Sequence, residues 1–584
     1  MKRSLQLLLV FFITFLSSIN LYAQMNENIW FDGLYRTYFT RDAIEKNTTD
    51  TLSAKNISNG YNLLDLNTHI NPIKDIEIFA QLRIRNSFGS FFGSGTEIDV
   101  RQLKVKGVIN NKIRYSIGDL FLKQTRFTLH NYEEEFSNYT DDILKPYRDI
   151  IHYENFYYDN RWRLQGIQTD FSFEFDRFIR SLDFDLFVTR PRGSSQINET
   201  NYSSDVMLSG GSIVSKINKR LTFSTNYINL FEVASSGTQN ISVRNPVLDM
   251  SILHDFSNEN HFFEQKLQTG YSRRYWLHSE LDNGIPDSIS YHTKGMYFEL
   301  DNKYIKKDST ISLTAGYRYV DPNFRSSGAQ TRRVDFFEGN SNTTYPIYTN
   351  MSMFRPTSMF DLLSDYQLYN QNLSSTLMGF NPIYSNVLPY GEATPNRTGI
   401  YLKARINSKN KLLLAKINSG FFKEVIGQGT SEKRKFGLIK GILKLNLHNS
   451  LNWKKELSLF TSNESELTNR GGDKISSLNL FSHKLNLSIN AELVKNFFIQ
   501  TSYRQFNANG NEFLIQRDNY GNITNYTLTE VNQKDYVISI GTLYKLRKNI
   551  YANIQYNGWG SLFSNQNNLD YKYNRLTLIL SVEL

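Results

Sequence analysis

Apolar and polar residues alternate without a break from Ile76 to Asn86, in the run IEIFAQLRIRN. Ile76, Ile78, Ala80, Leu82 and Ile84 fall on one face, and Glu77, Phe79, Gln81, Arg83 and Arg85 on the other. A period of two held over this length specifies a strand with one face in an apolar medium and one in a polar medium. The apolar medium is either a second sheet packed on the first or lipid.

The connections between such segments decide between the two. YNLLDLNTHI joins the opening run through NPIKD, RQLKVKGVI meets KIRYSIGDL across Asn110-Asn111, and GIYLKARI turns at NSKN into KLLLAKI. Counted from Ile29, the alternating segments number about 22, with about 18 and 24 as bounds. Every even-to-odd connection is a short turn: 71–75, 110–112, 176–179, 216–219, 257–260, 306–308, 408–410, 449–454, 494–496 and 547–549. Every odd-to-even connection is longer, and two, 121–161 and 322–396, are very long. A soluble sandwich has no reason to keep that rule, whereas a transmembrane barrel has short turns on its inner side and long loops outside. Beyond the N-terminal segment no apolar run approaches the roughly 18 residues of a helical span, so only a closed barrel would satisfy the backbone in a membrane. The expected fold is therefore all-β: a transmembrane, antiparallel, up-and-down β-barrel with both ends on the short-turn side. A secreted, soluble all-β protein is the alternative.

The chain begins MKRSLQLLLVFFITFLSSINLYAQ, with basic Lys2 and Arg3, an apolar run from Leu5 to Leu16, and Ala23 before Gln24. This pattern predicts a signal peptide over 1–23, cleaved after Ala23, and a single barrel domain over 24–584. The formal net charge of +10 on 584 residues is too dilute for a nucleic-acid binder, and an exported protein does not meet nucleic acid. The absence of cysteine excludes disulfides, thiolate metal sites and a lipidated N-terminal Cys. There are nine His but no HExxH, no GxSxG and no Gly-rich phosphate loop. No catalytic residue, metal or cofactor is expected. His130, His152 and His278 are the only histidines placed for a rim-located enzyme.

The final segment NRLTLILSVEL sets Leu576, Leu578, Leu580, Val582 and Leu584 outward, and Thr577, Ser581 and Glu583 inward. In GILKLNLH, Leu443, Leu445 and Leu447 face one way, and Lys444, Asn446 and His448 the other. Polar inward faces of this kind explain the mean hydropathy of −0.45. Trp30, Trp162, Trp276, Trp453 and Trp559 fall near predicted strand ends, where an aromatic girdle sits.

With its signal ending LYAQ, Asn/Lys-rich short turns, 36 Tyr, 41 Phe and amphipathic last strand, the chain resembles the large, porin-like outer-membrane β-barrel proteins of Bacteroidota-type bacteria. The resemblance implies a Gram-negative outer membrane, lipid as the surrounding medium, and a barrel assembly machinery that reads the C-terminal strand. Two features depart from it. Many such barrels end in an aromatic residue, and this one ends in Leu584. Barrels of this size in TonB-dependent transporters follow an N-terminal plug, whereas NIWFDGLYRTYF begins directly after the signal, so TonB-coupled uptake is not supported.

A barrel this wide stands open unless something fills it. Loop 121–161 carries Glu133, Glu134, Glu135, Asp141, Asp142 and Asp149 among aromatics, and loop 322–396 carries Arg325, Arg332, Arg333 and a short helix from about Ser358. Folded inward, the two would form a constriction, with the arginines paired to the first loop's acids. Glu77, Gln81, Arg83, Arg85, Lys444, Asn446 and His448 are the candidate lumen-lining residues. Among them Arg83, Arg85 and Lys444 either favour anionic solutes or pair with carboxylates such as Glu77. The leading expectation is a non-enzymatic, porin-like channel for passive passage of small solutes. The alternatives are a closed barrel serving as a structural subunit of an outer-membrane assembly and, third, a rim enzyme.

Overall fold

Local turn chemistry sets the frame. At 110–112 both Asn110 and Asn111 adopt positive φ, 51° and 55°, as a tight hairpin matched to strand twist demands. The computed structural model describes residues 28–46, 55–89, 95–130, 141–155, 164–196, 202–233, 240–282, 285–330, 377, 380–451, 453–473, 476–517, 523–563 and 571–584. The strands are β1 (Ile29–Lys46), β2 (Lys55–Ile73), β3 (Ile76–Ser87), β4 (Thr96–Ile109), β5 (Ile113–Leu120), β6 (Leu164–Glu174), β7 (Ser181–Arg192), the two-residue β8 (Ser195–Gln196) and β9 (Tyr202–Ser203), β10 (Asp205–Lys216), β11 (Leu221–Val233) and β12 (Asn240–Asp255). They continue as β13 (His261–Asp282), β14 (Ile285–Lys306), β15 (Ile311–Val320), β16 (Arg397–Asn407), β17 (Leu413–Lys423), β18 (Lys435–Asn446), β19 (Leu457–Arg470), β20 (Leu478–Val494), β21 (Phe497–Arg517), β22 (Ile523–Arg547), β23 (Ile550–Phe563) and β24 (Tyr571–Glu583).

All but β8 and β9 join one 22-stranded sheet. Each strand pairs antiparallel with its chain neighbour, β7 pairs with β10, and β24 pairs back onto β1 from Leu34–Glu583 to Lys46–Tyr571. The sheet is therefore a closed barrel, and its ten predicted short connections all lie on the side of Ile29 and Leu584. One differs in detail. The chain after Asn446 forms a short helix, Leu447–Leu451, so Leu447 and His448 leave the alternation predicted for them.

The two faces differ as the period of two requires. In β22, Ser539 is 2% exposed, while Ile538 and Ile540 beside it are 55% and 54% exposed. The same outward face carries Ile98, Val100, Leu103, Ile400 and Phe421 on other strands, all exposed. A continuous exterior of such side chains is tolerable only in hydrocarbon. No described helix is long and apolar enough to cross a membrane. Wall height varies: β5 has 8 residues and β15 has 10, against 22 each in β13 and β14 and 25 in β22. A bilayer needs about 9–11 residues per strand, so the long strands project beyond it.

The tryptophan girdle is corrected by the structure. Trp30 points inward and stacks on His69 at 4.5 Å, Trp559 is buried in the lumen against Tyr573, and Trp276 shares the inward parity of Ser272 and Arg274 on β13. Nearness to a strand end fixes depth, but parity fixes the face. Trp453 is exposed at the β18–β19 turn, and Trp162 lies outside the described residues. Phe31, Phe173, Phe175, Phe263 and Tyr544, all exposed at the turn-side ends, occupy the belt instead.

Ile540→Arg is expected to destabilise the barrel by about 2–4 kcal/mol if its side chain meets the bilayer midplane. The check is the denaturant midpoint of the heat-modifiable gel shift in lipid vesicles.

Candidate functional site

The lumen is occupied by the chain's own loops, and the wall is shaped to receive them. At Gly295 on β14 an added Cβ would sit 2.2 Å from Phe324 N and 2.3 Å from its Cα. Only glycine lets the second loop's backbone ride directly on the wall there. From that point residues 321–330 are fixed by backbone-directed hydrogen bonds. Asn245 on β12 accepts from Ser327 N at 2.9 Å and donates to Arg325 O at 2.9 Å, and Arg325 N donates to Ser272 Oγ at 2.9 Å.

The two loops are zipped together inside the barrel. His130 N donates to Gly328 O at 3.0 Å, and Ser326 Oγ donates to Thr128 O at 3.1 Å. Phe127 stacks on wall residue Tyr297 at 3.8 Å and meets Phe324 edge-on. Around this seam Leu122, Phe127, Leu129, Phe324, Ala329 and Ala393 join wall residues of β5–β15 in one buried apolar cluster.

Further along the first loop, Asp141 bonds Ser502 and Arg504 on β21, and Asp142 pairs with Lys444 at 3.1 Å. The helix Lys145–Asn155 follows. Pro146 in its first turn leaves unmade only an N–H bond that the helix start lacks anyway. The helix buries Tyr147 and Ile150, with Tyr153 beside them, among Tyr38, Leu63, Phe506, Trp559 and Tyr573 of the wall. The second loop adds Ile383 to that cluster and Val387 to another, with Tyr401, Phe422, Phe436 and Leu438. Asn386 is held by Glu466, Thr468 and Glu512, each at 2.8 Å.

Charges fasten the two loops to each other and to the wall. Arg126 of the first loop meets Glu392 of the second at 2.5 Å. Its other nitrogen donates to Glu299 at 2.8 Å and Asp301 at 2.6 Å, both on β14. Glu392 is also paired with Lys403 at 2.6 Å and Arg318 at 3.3 Å, and Arg318 with Glu299 at 2.6 Å. Burial alone would raise the Glu392 pKa, but Arg126, Lys403 and Arg318 hold it well below the usual carboxylate range. The space left beside this network is a cavity of about 20 Å³, room for about one water.

The residues singled out in the sequence fall as follows. Gln81, buried, donates to Asn67 at 2.8 Å, and Glu77 pairs with Lys106 at 2.9 Å and His69 at 3.0 Å. Arg83 grips Asp65 through two bonds of 2.8 and 2.6 Å, and Arg85 lies 4.0 Å over the Tyr61 ring. Arg83 thus takes Asp65, not Glu77. Lys444, Asn446 and His448 come together around a turn-side cavity. Arg325 donates to Gln330 at 2.7 Å, and its expected pairing with the first loop's acids involves residues outside the described set. Among the described residues a charge pair between the loops is Arg126 with Glu392, the cation on the first loop and the acid on the second. Glu133, Glu134, Glu135, Arg332, Arg333 and the expected helix near Ser358 lie outside the described residues. His130 is buried at the seam, and the side chains of His152 and His278 are outside the described set. Among the described residues no group of three potential ligands is placed to hold a metal.

Arg126→Ala leaves Glu299, Asp301 and Glu392 short of a partner and is expected to cost about 3–5 kcal/mol, seen as faster amide exchange at 127–130 and 324–330. A lowered carboxylate pKa stabilises fully above the ordinary value of 4.5 and loses that contribution as pH falls through the lowered one. Exchange protection of the seam should therefore persist at about pH 5 and fail only in stronger acid. In Glu392→Gln that acid-dependent loss should be absent.

No protein-family model and no curated protein matches the chain. Solved structures that match include OpdQ of Pseudomonas aeruginosa, at 9% identity and TM-score 0.36, over 95% of this chain and 98% of that one. A BenF-like porin from Pseudomonas fluorescens Pf-5 matches at 8% identity and TM-score 0.32, over 96% and 99%. The outer membrane channel DcaP of Acinetobacter baumannii matches at 9% identity and TM-score 0.26, over 95% and 97%. The barrel assignment rests on this chain's own strand register.

Proposed function

We propose that the chain is a passive, porin-like channel of a Gram-negative outer membrane, exported by a signal over residues 1–23. The observation that carries this reading is a lipid-compatible, closed 22-stranded barrel whose lumen is polar and narrowed by two loops anchored to the wall. Such a structure needs no chemical step: width and lumen charge select the solute. Surrounding lipid and an assembly machinery acting on β24 complete the setting, since β24 supplies the closing pairs to β1.

A second reading, a closed barrel acting as a structural subunit of an outer-membrane assembly, is favoured by the depth of filling. Three apolar clusters join loops to wall.

Planar-bilayer recording with graded polymers separates the two. The channel reading expects stepwise conductance with a polymer size cutoff, and a larger conductance and cutoff for the doubly substituted Arg126→Ala/Glu392→Ala. A folded, heat-modifiable wild-type barrel that stays silent supports the subunit reading.

A further inference from the structure

On β12–β14 the outward face changes abruptly from apolar to basic. The ladder sets Leu248, Tyr271 and Met296 side by side, and all three are exposed. The stretch of β13 from Phe263 in the turn-side belt to Tyr271 matches the about 9–11 residues that a tilted strand needs to cross a bilayer, so this row closes the apolar band. The next outward positions toward the long loops are Arg273 on β13 and Lys294 on β14, directly opposite each other. Arg244 on β12 lies one outward step further along, opposite Tyr275. Three cations therefore stand together at the height of lipid headgroups.

Cations inside the barrel are matched: Arg83 meets Asp65, Arg318 meets Glu299, Arg504 meets Asp141 and Arg575 meets Asp42. Among the described residues Arg244, Arg273 and Lys294 have no carboxylate within ion-pair distance. Asp321, just past β15 and bonded through its N–H to Met296 O, accepts instead from Asn323 N at 2.8 Å. Like charges directly opposite in a ladder destabilise it, so the Arg273–Lys294 pair favours an anion beside it. The Arg273 guanidinium lies 4.1 Å from the centre of the Tyr275 ring, a contact that holds a cation in place. Its buried Nε has no acceptor among the described residues, and a buried donor in this state calls for one. Phosphate oxygens accept strong, charge-assisted bonds from both guanidinium and ammonium groups. At the edge of the apolar band the anions at hand are the phosphates of lipid headgroups.

We propose that Arg244, Arg273 and Lys294 form a docking site for the phosphorylated headgroup of a glycolipid in the outer leaflet. The lipid as occupant rests on the outer-membrane reading, with the long loops outside. The test is native mass spectrometry of the full-length protein in detergent, with diphosphoryl lipid A as the probe and its dephosphorylated form as the comparator. The expected result is preferential retention of the diphosphoryl form, reduced several-fold in Arg273→Gln/Lys294→Gln. Retention should be unchanged in Lys307→Gln/Lys548→Gln, which removes the same charge from the turn side, and heat-modifiable mobility establishes that each variant is a folded barrel. Equal retention of the two lipids, or equal loss in both double variants, overturns the site. Displacement of the lipid by equimolar inorganic phosphate overturns the lipid as its occupant. Ser290→Cys, in a chain with no other cysteine, should be labelled on intact cells by a membrane-impermeant maleimide. Labelling without lipid retention removes the site and keeps the outer-membrane reading, whereas retention without labelling overturns an outer-leaflet occupant.

Discussion

In hydrocarbon an unpaired backbone N–H or C=O costs several kcal/mol, so a sheet that enters a membrane has to close on itself. In this chain closure is made by the register of β24 on β1, from Leu34–Glu583 to Lys46–Tyr571. It fixes more than the outline. Once the ends are joined, parity is set around the whole circumference, and Arg36, Tyr38, Thr40 and Asp42 on β1 face the same interior as Tyr573, Arg575, Thr577 and Ser581 on β24. Arg575 can then bind Asp42 across the seam at 2.6 and 3.0 Å, a contact between residues at opposite ends of the sequence.

Closure of so many strands creates a second requirement, because a lumen of this width is empty of side chains at its centre. The chain fills it with two loops and holds them largely by charge. Buried ion pairs add little net stability over an apolar filling, yet they punish misplacement heavily. Among the described residues Arg126 finds its partners where Glu299, Asp301 and Glu392 converge, so the network specifies one arrangement of loops and wall. The apolar seam of Phe127, Tyr297 and Phe324 supplies adhesion, and the charges supply position.

Much of the fold was legible in the sequence because lipid imposes a simple rule on it. An outward residue must be apolar, so alternation survives even where the inward face is mixed, as in Ile538, Ser539 and Ile540. Turn chemistry is equally local, and Asn110-Asn111 announces its hairpin. The face of a tryptophan is not legible in this way, because nearness to a strand end reveals depth alone; the strand register is what turns Trp30 and Trp559 inward. The site was less legible still. Arg126 sits as a lone cation in KQTRFTLH and Glu392 as a lone acid in YGEATPN, and nothing in either segment marks a partner more than 260 positions away. An acidic run or an arginine pair stands out in a sequence by clustering, whereas the Arg126–Glu392 pair is made by single residues brought together by the barrel.

The origin of the two inserted loops follows from the uneven height of the wall. They leave from β5–β6 and β15–β16, strands of 8 to 11 residues, about the minimum for spanning a bilayer. Their tall counterparts β13–β14 and β21–β22 carry the hairpin backbone well past the membrane before turning, so the connections between them begin far from the lumen. At a low rim the chain leaves the sheet already beside the lumen mouth, where Leu120, Leu122 and Val320 are buried, and an inward path buries apolar side chains sooner than an outward one. Short strands and inserted loops are thus two expressions of one geometric choice, and the lumen is filled from the sides where its wall is lowest.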